Sequence, residues 1–488
     1  MITTLVVVFT ALYLYINDFG KSNLPPRFHY LTNMLAGKYQ MKKKGPVEFI
    51  QQGYLAHGPV FRIKIFHQGV TFLLGPEANK FMYNTSDKIL TAREVYHFTV
   101  PVFGPNVVYD APLPLMQRQL SFLRHALNGK HMQTYVDKVL QECDVFFSRF
   151  GDKGEMHLHK AFSELIINTA SRCLMGQEIR ETMHSRVADL YEALNDGMTR
   201  ISILFPYFPH EKHTLRDKAR QEMIELFSPI INRRRENSEK GIANPVDFLQ
   251  ELIECRYENR REMTNEEIVG LLIACLFAGQ HTSNITATWL GCLIAANKKS
   301  ILPRLLQEQR DIVGTDFKDG DQLAYEAVQQ MELLHFSIKE ALRLFPPIVV
   351  MARMVQEDQT FMGYTIPKGD IVASSPAVSH RLPNVFKNPD VFDPDRFLPP
   401  RSEGEDIIDE DGNITKQWKY IAFGEGRHQC LGRDFAFLQV KAIYSYIFRH
   451  FDFELVNEFV GEQNFDHLVA GPGCDSTVRF VRKNLLKE

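Results

Sequence analysis

The chain has 488 residues, 44% hydrophobic and 24% charged, with a formal net charge of −3. That length and apolar share suit one large globular body and exclude a disordered chain, and the near-neutral balance offers no general attraction for a polyanion, so no nucleic-acid partner is expected. Seven cysteines, scattered, odd in number and without a C-x-x-C pair, argue against a zinc site or a disulfide framework and for a reducing compartment.

In chain order, Ile2 to Ile16 is apolar and would measure about 22 Å as a helix, short of the roughly 30 Å hydrocarbon core. No basic residues precede it and no small-residue cleavage site succeeds it, which weakens a cleaved-signal reading. Tyr13 and Tyr15 suit the membrane interface, and Lys21, Arg27 and Lys42 to Lys44 favour a cytoplasmic location for the rest of the chain. Residues 1–24 are therefore expected as an N-terminal membrane anchor and 25–488 as one large domain, with Pro25-Pro26 between them. Residues 45–85 alternate polar and apolar side chains and predict a small sheet. From 118 to 345 the period becomes 3.6, as in Met223–Ile231 and Ile268–Ile294, predicting a helix-rich block. Short strand-like runs return at Ile348–Met351, Phe361–Ile366 and Ile371–Ser375, then a Pro-rich stretch from Pro383 to Pro400, an acidic surface insertion from Ser402 to Thr415, a helix from about Arg433 to Phe448 and a strand-rich tail. The fold class expected is mainly α with smaller β-sheets.

The chemistry-bearing stretch is Phe423-Gly424-Glu425-Gly426-Arg427-His428-Gln429-Cys430-Leu431-Gly432. Glycines admit positive φ and close backbone approach to a flat ligand, and N–H groups ahead of a helix stabilise a thiolate. On its own the stretch is equally a Gly-rich turn with an inert cysteine. It matches F-x-x-G-x-x-x-C-x-G at every fixed place, and so resembles the haem-binding motif of the cytochrome P450 family. Glu340-Ala341-Leu342-Arg343 matches that family's E-x-x-R, an i, i+3 pair on one helix face, and Phe392-Asp393-Pro394-Asp395-Arg396-Phe397 supplies a further motif in the family's order. The resemblance implies the P450 fold, haem b (iron protoporphyrin IX) with Cys430 as its axial thiolate, which favours O–O cleavage, and a buried Glu340–Arg343–Arg396 triad bracing the cysteine loop. Phe423, Gly424 and Gly432 come with the motif as cofactor-binding positions.

Ala278-Gly279-Gln280-His281-Thr282-Ser283 interrupts an apolar helix with polar residues. Small Ala278 and Gly279 open the helix to a ligand, and Thr282 offers a hydroxyl to oxygen or to a proton-carrying water; a satisfied hydroxyl and a core histidine would look the same. Most of the family carries an acidic residue where this chain has His281, a departure typical of sterol 14α-demethylases. A histidine relays protons only when coupled to an acid or to solvent, and the same resemblance offers Asp217, in Arg216-Asp217-Lys218, as that partner.

The aromatic segment Tyr96 to Asp110, with Pro101, Gly104 and Pro105, reads alone as a packed loop. It is similar to the sterol-demethylase motif Y-x-x-[FL]-x-x-P-x-F-G-x-x-V-x-Y-[DA], with Tyr96 one residue nearer Pro101 than that spacing requires. The resemblance implies that Tyr96, Tyr109, Arg353 and His428 face haem propionates, with Arg118 a further candidate. It also implies that Phe98, Phe103 and Val107 line a sterol cavity, whose other expected walls are Phe277, Ala278, Ile348, Val350, Leu468 and Val469. Phe98 stands where plant and trypanosomal members resemble it, which favours a 4α-monomethyl sterol such as obtusifoliol. The activity so implied removes the 14α-methyl in three oxygenations, releasing formic acid and using electrons from NADPH-cytochrome P450 reductase at the cytoplasmic face of the endoplasmic reticulum membrane; azoles are expected inhibitors. Another haem-thiolate oxygenase, acting on a fatty acid or xenobiotic, and a haem carrier or gas-binding protein remain the alternatives.

Overall fold

The computed structural model describes residues 23–28, 41–65, 68–127, 130–182, 184–314, 323–409 and 414–483. The expected anchor helix over Ile2–Ile16 lies outside the described residues. In chain order the elements that position the site are α1 (Met41–His57), β1 (Val60–Ile65), β2 (Gln68–Leu73), α2 (Pro76–Asn84), β3 (Leu90–Thr91), α3 (Val100–Phe103), α4 (Leu113–Ala126), β4 (Lys153–His157), α5 (Leu158–Ala170), α6 (His184–Asp196), α7 (Glu211–Glu239), α8 (Asn265–Ala296) and α9 (Glu332–Leu344), then β5 (Met351–Val355), β6 (Ile371–Ser374), α10 (Arg433–His450), β7 (Phe451–Leu455) and β8 (Thr477–Arg482). Helices dominate and the sheets are small, as expected from the periodicities.

Two compact units emerge. The first draws on Met1–Val95, Ile348–Val391 and Arg396–Gln429 and is organised on a five-stranded sheet of order β1-β2-β6-β5-β3. β1 pairs antiparallel with β2, Val60 opposite Leu73, and β2 runs parallel to β6. Its core stacks Phe61 on Phe72 at 5.1 Å, with Phe28, Ile50 and Ile63 around them. The sheet expected over 45–85 is thus confined to Val60–Leu73. Val47, Ile50 and Tyr54 recur at helical spacing, and their apolar face packs on the sheet, so α1 forms where strand was expected. β1 does not alternate either: Arg62 is buried and ion-paired to Asp370 at 2.8 Å, so a charge that read as solvent-facing is an internal contact. The strand expected at Ile348 begins at Met351.

The second unit, Tyr96–Pro347, Phe392–Asp395 and Cys430–Glu488, is helical around α8. Thr264 caps α8, accepting from the Glu267 amide while the Glu267 carboxylate returns to the Thr264 amide, a reciprocal start that satisfies two orphan donors. Apolar residues then fall on every face (Leu271, Ile273, Leu276, Ile285, Trp289, Leu290, all buried), the pattern of a helix packed all round. α8 is long and apolar enough to cross a membrane, yet two thirds of its apolar window is buried within the protein, so it is the unit's central core helix. A three-stranded antiparallel sheet, β7-β8-β4, completes this unit.

Candidate functional site

Cys430 sits ahead of α10, whose N-cap is Gly432. Three cysteines are buried and three half-buried; Cys430 alone is exposed, the setting of a sulfur that lines a space. Burial by surrounding atoms pushes its thiol up on balance, against a hydrogen bond from the Gly432 amide and the Arg433 charge, which pull it down. Two of the three glycines serve conformation: Gly424 has φ +66 and a Cβ there would meet the His428 carbonyl oxygen at 2.8 Å, and Gly426 has φ +60. Gly432 has an ordinary φ of −89, and a Cβ there would stand in ordinary contact with Cys430 Sγ at 4.0 Å. In the same loop Phe423 is half-buried, and His428 Nε2 lies 2.6 Å from Asp87 Oδ1. Burial of Asp87 opposes its ionisation, but the His428 hydrogen bond and the charges of His428, Arg427 and Arg353 outweigh it and hold the carboxyl below its usual value. Arg353 is itself buried, donating to the Ala352 carbonyl at 2.8 Å. Asp87 is the member of this group that sequence reasoning missed; no motif marks it.

Glu340 and Arg343 are fully buried on α9, with Arg343 Nε and Nη2 donating to the two carboxylate oxygens at 2.7 and 2.9 Å. Glu340 also accepts from the Asp393 amide at 3.0 Å, so the carboxylate holds the start of the Asp393-Pro394 turn. Arg396, in the other unit, pairs with Glu403 at 2.7 Å and donates to the carbonyls of Lys387 and Val391. Removing either partner of such a pair would leave a buried charge uncompensated.

On α8 a Cβ placed on Gly279 would meet nothing within 4 Å, so the helix presents bare backbone to open space beside Ala278. Thr282 Oγ1 donates to the Ala278 carbonyl at 2.6 Å, which leaves its lone pairs to accept from outside the helix. His281 lies in an aromatic nest: its ring is 6.0 Å from Tyr191 and 6.1 Å from Phe277, and those two rings are 4.7 Å apart. Burial, then His467 and His159, push its pKa down to about 4, so the ring is neutral at physiological pH, and its buried Nε2 has no hydrogen-bond partner among the described residues. The pairing expected with Asp217 is absent. Asp217 is exposed on α7 and accepts from its neighbour Arg216 at 2.8 Å; a buried guanidinium one residue away captures the carboxylate before it can reach α8. Tyr191, unmarked in sequence, takes the place beside the histidine, and its hydroxyl reaches Gln280 Oε1 at 3.4 Å.

The segment 96–110 folds against α8. The rings of Tyr96 and Tyr109 lie 5.0 Å apart, Phe98 lies 6.2 Å from Tyr96, and Phe103 packs edge-on to Phe277 at 6.0 Å. Gly270 permits this approach: a Cβ there would overlap the Phe103 carbonyl oxygen and stand 2.8 Å from Val107 Cγ2. Arg118 is not directed at this cluster. It lies on the exposed face of α4, donating to the Arg256 carbonyl and covering the Phe122 ring; the buried position of that turn belongs to Gln119. Leu468 is exposed and Val469 half-buried, tied down where the Ala470 amide donates to Pro347. Ile348 is partly exposed in the first unit, and Val350 packs on that unit's Phe61–Phe72 core, so the latter serves the sheet.

The family model described as Cytochrome P450 matches residues 23–471. The chain belongs to the cytochrome P450 family. It is 39% identical to the sterol 14-demethylase of Arabidopsis thaliana over 99% of this chain and 97% of that protein. It is 39% identical to the obtusifoliol 14-alpha demethylase of Sorghum bicolor (96% and 92%) and 36% identical to the lanosterol 14-alpha demethylase of Homo sapiens (90% and 83%). A retinoic-acid-bound cyanobacterial structure superposes with a TM-score of 0.76 at 22% identity, covering 95% of this chain and all of that one, and so shares the fold. As a cytochrome P450 the protein is a haem b monooxygenase, and its residues fit that group. Among the described residues no three His, Cys, Asp or Glu side chains gather to hold a bare metal ion, whereas iron carried by a porphyrin needs only an axial ligand from the protein. Cys430, backed by the Gly432 amide, is a suitable one.

Proposed function

We propose that this cytochrome P450 is a sterol 14α-demethylase acting on a 4α-monomethyl sterol. The observation that carries the reading is similarity at 36–39% identity, over nine tenths or more of the chain, to proteins named for 14-demethylation of sterols. Haem b, bound through Cys430, supplies the oxygen-activating chemistry; the side chains supply binding, orientation and protons. Tyr96, Tyr109, Arg353 and His428 are the donors we assign to the propionates, with Asp87 holding His428 in place. Phe98, Phe103, Val107, Phe277 and Ala278 form the apolar wall that a sterol skeleton requires, since it offers little but hydrocarbon and one hydroxyl. Thr282 accepts a hydrogen bond at the oxygen side, and His281, neutral and with a free ring nitrogen, passes protons without carrying a standing charge. Over three rounds the 14α-methyl becomes alcohol, aldehyde and finally formic acid, each round consuming one O2, two electrons and two protons and releasing water; in the last the bond from C14 to the former methyl carbon breaks, and loss of a C15 hydrogen leaves a 14,15 double bond in the sterol.

Electrons come from NADPH-cytochrome P450 reductase, residues 1–24 anchor the chain in the endoplasmic reticulum membrane with residues 25–488 on the cytoplasmic side, and azoles are expected inhibitors. The decisive assay reconstitutes the holoenzyme with the reductase and measures formate release from obtusifoliol and lanosterol. Faster release from obtusifoliol is expected; a strong lanosterol preference would refute the monomethyl assignment, and no formate from either would remove the function.

A further inference from the structure

We infer that Gln119 is a positioning residue that holds the sterol-facing loop in its working shape and couples it to the start of α8. The loop at 106–110 contains two non-glycine residues in the left-handed region, Asn106 at φ +58 and Val108 at φ +45. The first is tolerable for asparagine; the second is an outlier for a β-branched side chain, which persists only where its surroundings enforce it. The turn is held in part by its own contacts, the Asn106 amide donating to Asp110 Oδ2 at 2.8 Å and the Ala111 amide to the Val108 carbonyl at 3.2 Å, and from outside by one side-chain amide. Gln119 is fully buried on α4. Its Oε1 accepts from the Val108 amide at 2.8 Å, and its Nε2 donates to the Asn106 carbonyl at 2.8 Å. The second Nε2 hydrogen goes to the Tyr257 hydroxyl at 3.2 Å.

The chain of donors continues. Tyr257 donates to Glu267 Oε1 at 3.3 Å, and Glu267 is held by both Arg261 nitrogens, at 2.8 and 2.9 Å, while it caps the Thr264 amide. Val107 and Tyr109, the residues that flank strained Val108, are therefore fixed by the same network that starts the helix bearing His281 and Thr282. The amide orientation is set by its partners, since a reversed group would set oxygen against the Asn106 carbonyl. The same logic excludes ionised glutamate, which has no hydrogen to donate to either oxygen, and leucine, which would leave the buried Val108 amide without its acceptor.

This inference deepens the sterol reading and rests on it. Its test compares full-length holoenzyme carrying Gln119→Leu, Gln119→Glu, Val108→Gly and the Gln119→Leu/Val108→Gly pair. The readouts are sterol-induced shifts of the haem spectrum, KM against kcat, and the reduced carbon monoxide spectrum as a check on haem ligation. Gln119→Leu and Gln119→Glu are expected to weaken the obtusifoliol Kd and raise KM by about tenfold, the equivalent of about 1.4 kcal/mol, with kcat changed much less and thiolate ligation retained. Glycine adopts φ +45 without strain, so in the Val108→Gly background the Gln119→Leu effect should shrink to less than about threefold. Wild-type sterol binding in Gln119→Leu, or an undiminished Gln119→Leu effect beside glycine, would overturn the proposal. If Gln119→Leu fails to take up haem, Tyr257→Phe decides: a weakened Kd supports the network and an unchanged one overturns it. Failure of the sterol reading itself looks different, because then the wild-type enzyme shows no sterol-induced shift.

Discussion

A neutral histidine next to a threonine governs most residue-scale expectations. Because burial and two other histidines hold His281 near pKa 4, the folded state refuses a proton that the unfolded chain accepts at its ordinary 6.5. The stability this contributes is present above pH 6.5 and is lost as pH falls toward 4, up to about 3 kcal/mol for a shift of this size. His281→Phe fills the Tyr191–Phe277 nest without titrating, so its urea midpoint should fall less steeply than wild type between those pH values; parallel curves would contradict this. For turnover, His281→Ala should cost about tenfold or more while sterol titrations stay near wild type, and Asp217→Asn should leave turnover within about twofold because its carboxylate is engaged by Arg216. Equal losses in the two variants would restore the Asp217 relay. The motif residues are legible in sequence because their spacing is rigid: Cys430 with its glycines, Glu340 with Arg343. Asp87 and Tyr191 are not, since each acts through a neighbour distant in sequence, and the pairing of Asp217 with its neighbour Arg216 is a contact no motif marks.

Among elements, α8 decides the site. Its continuous apolar periodicity and its reciprocal cap make it readable, and its close approach to 96–110 at Gly270 depends on a missing side chain. Gly270→Ala would push a methyl into the Phe103 carbonyl; backbone cannot yield as a side chain can, so we expect a loss of about 1–3 kcal/mol in stability and a weaker sterol Kd, read by thermal unfolding and spectral titration. A stable variant with wild-type affinity would show that the loop does not close on α8 as described. The N-terminal part of the sheet is less legible. Alternation in Val60–Ile65 looks like a half-solvated strand, but Arg62 turns inward to Asp370, and the helical spacing of Val47, Ile50 and Tyr54 is easily lost beside it. Fully covered strands lose the polar face on which alternation depends.

At the scale of the whole molecule, one sulfur separates a haem-thiolate enzyme from a large helical protein with an apolar interior. The fold class is readable because long 3.6-period runs leave little choice, and the family likeness over residues 23–471 places the remaining motifs in one order. The most direct measurement is the absorption spectrum of the reduced carbon monoxide complex of purified holoenzyme, beside Cys430→His. Wild type should show the strongly red-shifted Soret band of thiolate ligation, and Cys430→His should lose it together with formate release from sterol. A colourless wild-type protein, or a Cys430→His variant that keeps both the band and the activity, would contradict the account.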